Sequence, residues 1–329
     1  MTTELVAADI GGTHARFALA RIEDGRVIEL GDALTLRTAD HAGLAEAWET
    51  FARHLGRALP SAAALAFAYP VENDLPDLTN MPWTIDRRTL PEALGVDRDV
   101  ILNDFAAVGH AAATLDDPHF VHIAGPDIPL PATGVISIVG PGTGLGVGLL
   151  LRRDGEYQVI ASEGGNMDFA PHDELDDRLM AALRGRYDHV SAERLISGPA
   201  LRDIYAVIAE AEAPYSDDRA LWQAALDGKD PVAAEALERL CLCLGSFAGN
   251  IALAHGANAL VLAGGLGLRL REHLKGSGFA ERLVAKGEYR SILEQVPVKL
   301  IAHPEPGLYG AAAAFAARFG GRCGEQRGG

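Results

Sequence analysis

Val6, Ala8 and Ile10 alternate with Leu5, Ala7 and Asp9 in a run of small and branched residues, the pattern of a buried strand. Gly11-Gly12 interrupts it before a second apolar run from Ala15 to Ala20, so the chain opens as a hairpin with an acid at its tip. The same pattern returns in Ile138-Val139-Gly140-Pro141-Gly142-Thr143-Gly144-Leu145-Gly146-Val147-Gly148-Leu149. Gly12-Thr13 answers to Gly142-Thr143, Leu19 to Leu149 and Asp24-Gly25 to Asp154-Gly155, each pair 130 residues apart. Asp-Gly between apolar runs is a two-residue hairpin signal, which predicts a three-stranded meander in each half. The repeat points to an internal duplication, two related lobes that each present a glycine turn.

Between and after these meanders the period changes. Leu44, Trp48, Phe51 and Leu55 recur at helical spacing up to about Arg57. Ala62 to Tyr69 reads as a small-residue strand, Pro70 to Pro82 as a turn-rich Ω-loop or lid, and Leu90 and Leu94 as a short helix closed by Gly95. Val100-Ile101-Leu102 is a strand that turns at Asn103-Asp104 into a helix from Phe105 to Leu115. Leu115 to Thr133, with three Asp and four Pro, reads as the crossing between lobes. Val232 to His255 predicts one long helix stopped by Gly256. Ala259 to Ala263 is a buried strand running into Gly264-Gly265-Leu266-Gly267, and Val296 to Ile301 is the last strand. The final helix opens at Pro306 with Gly307 and Gly310 on one face, suited to close helix packing or a hinge.

Composition narrows the partners. The 329 residues are 48% hydrophobic, enough for packed cores, and the formal charge of −16 with no Lys/Arg-rich block argues against nucleic acid and anionic membranes. Cys241, Cys243 and Cys323 make neither a disulfide framework nor a zinc site, which suits a reducing cytoplasm. Glu4 and Asp9 in the first ten residues argue against a signal peptide, and no uninterrupted apolar run of membrane length is present. The Gly- and Arg-rich tail from Gly320 is expected to fray.

The candidate chemistry lies in the turns. Adjacent glycines permit positive φ and let N–H groups face phosphate oxygens, and Asp9 stands where a hydrated Mg²⁺ would bridge to them. Asn103 and Asp104 sit at a strand's carboxyl end, where α/β sheets gather ligands, although either also serves as a helix N-cap. Glu193 in Ser191-Ala192-Glu193-Arg194 is equally explained by the positive end of a helix. No dinucleotide fingerprint or Walker lysine motif occurs.

Asp9-x-Gly-Gly-Thr13-x-x-Arg16 and Gly142-Thr143-Gly144-Leu145-Gly146 resemble the two phosphate motifs of the sugar kinase, heat-shock protein and actin superfamily. Ile101-Leu102-Asn103-Asp104-Phe105, Glu163-Gly164-Gly165-Asn166-Met167-Asp168-Phe169-Ala170-Pro171, His189-Val190-Ser191-Ala192-Glu193-Arg194 and Leu262-Ala263-Gly264-Gly265 narrow the resemblance to the bacterial glucokinase family. It implies an α/β protein of two ribonuclease H-like lobes, the actin-like ATPase or hexokinase-type fold, with a cleft between them. The smaller lobe would span 1–114 plus 305–329 and the larger 115–304. It implies an ATP-dependent hexose 6-phosphotransferase of the first step of glycolysis, often homodimeric, with a small-molecule sugar as substrate. Asp104 would be the catalytic base; Asn103, Asp104, Glu163, Asn166 and Glu193 would bind the sugar. Asp9, Gly11, Gly12, Thr13, Gly142, Thr143, Gly144, Gly264 and Gly265 would hold ATP, with Mg²⁺ on Asp9 through water. The family carries histidine where this chain has Asn166, a change that bears on the choice among glucose, mannose, fructose and N-acetylhexosamines. The zinc motif of the repressor/ORF/kinase branch is absent, so no structural zinc is expected. A non-catalytic sugar sensor is the alternative from another class.

Overall fold

Asp24 and Gly25 have φ of 49° and 75°, and Asp154 and Gly155 of 55° and 81°. Two successive left-handed residues match the twist of the flanking strands, so both Asp-Gly pairs close the hairpins expected of them. In the computed structural model, which describes residues 2–68, 83 and 85–320, the chain divides into two compact units, Met1–Leu115 with His303–Gly329, and Asp116–Ala302. The Pro70–Pro82 loop, Tyr69, Cys323 and the tail beyond Gly320 lie outside the described residues.

The first unit holds β1 (Thr2–Ile10), β2 (His14–Glu23), β3 (Arg26–Leu30), β4 (Leu34–Arg37), β5 (Ala62–Phe67) and β6 (Arg98–Asn103). The sheet order is β3-β2-β1-β5-β6, with β4 also on β2; the meander is antiparallel, and β5 and β6 run parallel to β1. Both faces of β1 are buried, which its pattern of small residues permits. Leu5 and Ala7 join Ala64, Leu308, Ala311 and Phe315 on one side, while Val6, Ala8 and Ile10 join Phe17, Trp48, Phe51 and Trp83 on the other. Phe17 stacks on Phe51 at 5.6 Å, and the buried Trp83 indole donates to the Thr38 and His41 carbonyls. The Leu44–Leu55 helix covers the second face; the Pro306–Phe319 helix covers the first and lies against the Asp104–Thr114 helix. A Cβ on Gly310 would fall 1.7 Å from the Ala107 carbonyl oxygen, so the face formed by Gly307 and Gly310 makes a close helix contact within this unit.

The second unit repeats the wiring. It contains β7 (Phe120–Ala124), β8 (Gly134–Pro141), β9 (Leu145–Arg153), β10 (Glu156–Ser162), β11 (Ala259–Leu262) and β12 (Val298–Ile301), in the order β10-β9-β8-β11-β12-β7. The antiparallel meander β8-β9-β10 and the parallel β11 and β12 match β1-β2-β3, β5 and β6 strand for strand. The Leu115–Thr133 segment also contributes β7, an edge strand antiparallel to β12 that its flanking prolines and acids do not announce. The predicted long helix runs Pro231–His255 and ends at left-handed Gly256, φ 62°. By length and composition it could cross a membrane, yet 72% of its apolar window is buried in the core of this unit.

An ion cluster joins the Glu174–Arg184 helix to the long helix and to the Phe279–Val284 helix. Asp176, fully buried, accepts from Arg239 Nη1 at 2.9 Å and Arg282 Nη1 at 3.1 Å, and Asp173 accepts from the same two guanidinium groups at 2.7 Å. Burial alone would push the Asp173 carboxyl up, but Arg239, the Asp176 N–H and Arg282 outweigh it and hold the group well below the usual carboxylate range. A depressed folded-state pKa contributes stability above the unfolded value, about 4, which is lost as pH falls toward the folded one. The thermal midpoint is therefore expected to drop as pH falls below about 4, and Asp173→Asn, which keeps the helix cap, to flatten that slope in melts taken from pH 7 to pH 3.

Candidate active site

Ile10, Phe67 and Asn103 are in register across the parallel strands β1, β5 and β6. The turn after β1 and the Asn103-Asp104 corner after β6 therefore leave the same edge of the sheet, two strand spacings of about 4.8 Å apart. This is the edge where open α/β sheets collect ligands. Asn103 is the N-cap of the Asp104–Thr114 helix, its Oδ1 accepting from Phe105 N–H at 2.8 Å and Ala106 N–H at 3.1 Å. Asp104 is the first helical residue and half-buried, where the helix dipole favours the ionised carboxylate.

The first glycine turn is closed by Gly11 N–H donating to His14 O at 2.9 Å and is gripped by Thr38, whose Oγ1 donates to Gly12 O at 2.7 Å and whose N–H donates to Thr13 O at 3.0 Å. Gly12 and Thr13 are exposed, and their N–H groups have no partner among the described residues. The second turn is built alike: Gly142 N–H donates to Gly144 O, Gly198 N–H donates to Gly142 O, both at 2.8 Å, and the N–H groups of Thr143 and Gly144 remain. Positive φ is not the reason for these glycines, contrary to expectation, because none of Gly11, Gly12, Gly142 and Gly144 is left-handed. Bridging hydrogen bonds shape the turns instead. Gly264, after β11, is the left-handed one, φ 83°, and a Cβ there would stand 2.6 Å from Pro141 O, so it must be glycine for the Gly264–Arg269 helix to start beside the second turn. Gly265 faces open space.

Asp9 lies opposite Arg16 in the β1–β2 register; Arg16 Nη1 donates to Asp9 Oδ2 at 3.3 Å, and its Nε lies 3.8 Å from Glu305 Oε2. Burial pushes both carboxyls up, and Arg16 offsets part of it. Glu305, just before the Pro306–Phe319 helix, was not singled out by the sequence; its partner is nearly the whole chain away and no local pattern marks the pair. Asp9 Oδ1 has no partner among the described residues.

In the second unit, Glu163, Asn166 and Glu193 gather around the start of β9. Gly164-Gly165 permits this, since a Cβ on Gly165 would fall 1.8 Å from Leu145 O. Glu163 and Asn166 are exposed at either end of that turn. Ala192 N–H donates to Met167 O at 2.8 Å, which brings Glu193 alongside, and Glu193 Oε2 accepts from Leu145 N–H at 2.9 Å. His189 and Asp168 pair at 2.9 Å on the adjoining surface. The predicted residues thus form two groups: Asp9, Gly11, Gly12, Thr13, Asn103 and Asp104 in the first unit, and Gly142, Thr143, Gly144, Glu163, Asn166, Glu193, Gly264 and Gly265 in the second.

A family model described as Glucokinase matches residues 6–318 of this chain. The chain belongs to the glucokinase family. A glucokinase of Zymomonas mobilis subsp. mobilis is 53% identical over 319 residues, 96% of this chain and 98% of that one. A glucokinase of Paramagnetospirillum magneticum is 38% identical over 95% and 97%. The crystal structure of a glucokinase from an Antarctic psychrotroph superposes with a TM-score of 0.80 at 33% identity, covering 95% of this chain and 98% of that one. A glucokinase-family chain is a sugar kinase, and the two six-stranded sheets with their matching meanders are those of the actin-like ATPase fold.

Proposed function

We propose that this chain transfers the γ-phosphoryl group of ATP to the 6-hydroxyl of glucose, with Asp104 as general base. The observation that carries this reading is the shared sheet edge, which sets Asp104 about two strand spacings, roughly 10 Å, from the first glycine turn. Asp104 accepts the hydroxyl proton as the oxygen attacks, and Asn103, whose carbonyl end caps the helix, offers its amide end to the sugar. Glu163, Asn166 and Glu193 bond the remaining hydroxyls, which a polar site reads far better than an apolar pocket. Gly12, Thr13, Thr143 and Gly144 offer N–H donors to phosphate oxygens; Gly11 and Gly142 shape the turns, their N–H groups being spent on closing them. Gly264 and Gly265 would line the ATP base and ribose.

The unpartnered carboxylate oxygen of Asp9, a hard ligand, fits Mg²⁺ held through water, and Glu305 stands by as a second carboxylate. When bound, that ion neutralises charge on the transferring phosphates. The cytoplasm suits Cys241 and Cys243, buried thiols, the first pushed up by burial to about 12. A homodimer is the expected assembly, and sedimentation velocity separates it from a monomer by mass.

A coupled assay of ADP release over glucose, mannose, fructose and N-acetylglucosamine tests the reading: turnover is expected on glucose, and none on any sugar would overturn it. Asn166 is the position expected to set preference. Asn166→His adds the family's side chain and is expected to lower KM for glucose about 2- to 10-fold, the worth of one hydrogen bond, relative to mannose in the same assay.

A further inference from the structure

Glu193 stands in two places at once. Its Oε2 accepts from Leu145 N–H at 2.9 Å, at the foot of the second phosphate turn, while its Oε1 has no partner among the described residues. The segment that carries it also holds the other foot, through Gly198 N–H to Gly142 O at 2.8 Å. Ala192 and Ile196, both fully buried, anchor that segment in the core, so it forms a rigid bracket on the turn. Thr143 and Gly144, which keep N–H groups for phosphate, lie between the two held feet. Gly144 fits the bracket closely. It is not left-handed, yet a Cβ there would stand 2.5 Å from Glu193 Oε2, so a side chain fits only if the carboxylate moves away.

We propose that Glu193 is a positioning residue that couples the sugar subsite to the second phosphate turn: one carboxylate oxygen takes a sugar hydroxyl while the other fixes Leu145 N–H and, with it, the donors of Thr143 and Gly144. The inference rests on the reading of Glu193 as a sugar ligand. A hydroxyl bound at Oε1 locks the carboxylate against the turn, and a phosphate bound by the turn holds the carboxylate ready for the sugar. Linkage makes the effect reciprocal: glucose tightens nucleotide binding by the same factor by which nucleotide tightens glucose.

The test is equilibrium binding with the full chain and the non-hydrolysable analogue AMPPNP with Mg²⁺, by calorimetry, in wild type, Gly144→Ala and Glu193→Gln. In wild type, glucose is expected to tighten AMPPNP binding by about 5-fold or more. Gly144→Ala, a change in the phosphate turn, is expected to weaken glucose binding about 5-fold with no nucleotide present, because the new methyl displaces the carboxylate. Glu193→Gln preserves volume should Gly144→Ala fold poorly, and in it both glucose affinity and the coupling factor are expected to fall, the latter toward one. A purely structural role would lower the melting temperature and leave the coupling factor of the folded variant intact. Loss of glucose affinity in Glu193→Gln with wild-type coupling, or wild-type glucose affinity in Gly144→Ala, overturns the coupling while leaving the sugar-ligand reading in place. Wild-type glucose affinity in Glu193→Gln overturns the sugar-ligand reading itself, and the proposal with it.

Discussion

Asp104→Asn is expected to lower kcat on glucose by roughly 10²- to 10⁴-fold, the range a positioned general base contributes. The substitution is nearly isosteric, and the helix keeps its cap because the capping oxygen belongs to Asn103. What the amide lacks is a site for the hydroxyl proton, a loss felt as the sugar oxygen attacks and much less on binding. KM for ATP should therefore stay close to wild type while kcat and kcat/KM fall together, the signature of an interaction made in the transition state. Steady-state kinetics beside a thermal melt decide the matter: a fall under tenfold in a protein of wild-type stability would remove Asp104 from the role of base.

The largest effect on stability is expected at Asp176. Its carboxylate is fully buried and accepts from Arg239, Arg282 and the His172 N–H, with the Cys243 thiol 3.7 Å away. Asp176→Leu would leave two guanidinium groups, little exposed themselves, with only the half-exposed Asp173 to answer them among the described residues. Breaking a buried pair from one side costs about 3–5 kcal/mol, a large share of the whole stability of a typical protein. Urea denaturation should show the midpoint falling at constant slope. By contrast, Arg57→Ala, which removes an exposed partner of Glu4, should leave the midpoint nearly unchanged. Equal losses in the two variants would mean that the buried cluster contributes no more than a surface pair.

What the sequence disclosed and what it hid divide along the distance between interacting residues. The Asp-Gly turns, the left-handed stops at Gly95 and Gly256 and the Pro231–His255 helix are decided by residues a few positions apart, and periodicity shows them directly. The repeat also held, with one adjustment that spacing alone did not reveal: Ile10 pairs with Ala15 across the first turn, but Pro141 with Leu145 across the second, so the second tip is one residue shorter. Local composition gave no sign of β7, whose prolines and acids flank an ordinary edge strand. It misled over the glycines of the two turns, where adjacency suggested unusual dihedral angles that Gly11, Gly12, Gly142 and Gly144 do not adopt. Gly165 and Gly310 instead face backbone atoms from segments far off in sequence, so their necessity appears only once the chain is folded. The same holds for candidate-site contacts. Glu163, Asn103 and Asp104 stood out as residue types in motifs, whereas the Arg16–Glu305 and Glu193–Leu145 contacts join segments that no pattern links.

The Pro306–Phe319 helix places Leu308, Ala311 and Phe315 over the small-residue face of β1 and β5. On a ribosome this reverses the expected calendar. The second unit has all of its residues by Ala302, while the first, begun at the opposite end of the message, still lacks the helix that seals one side of its sheet. At about 5–20 residues per second that face of alanines stays uncovered for many seconds after its own strands have been made. Small side chains leave that waiting face with less apolar area per residue than leucine or phenylalanine would. The part of the protein that is written first is finished last.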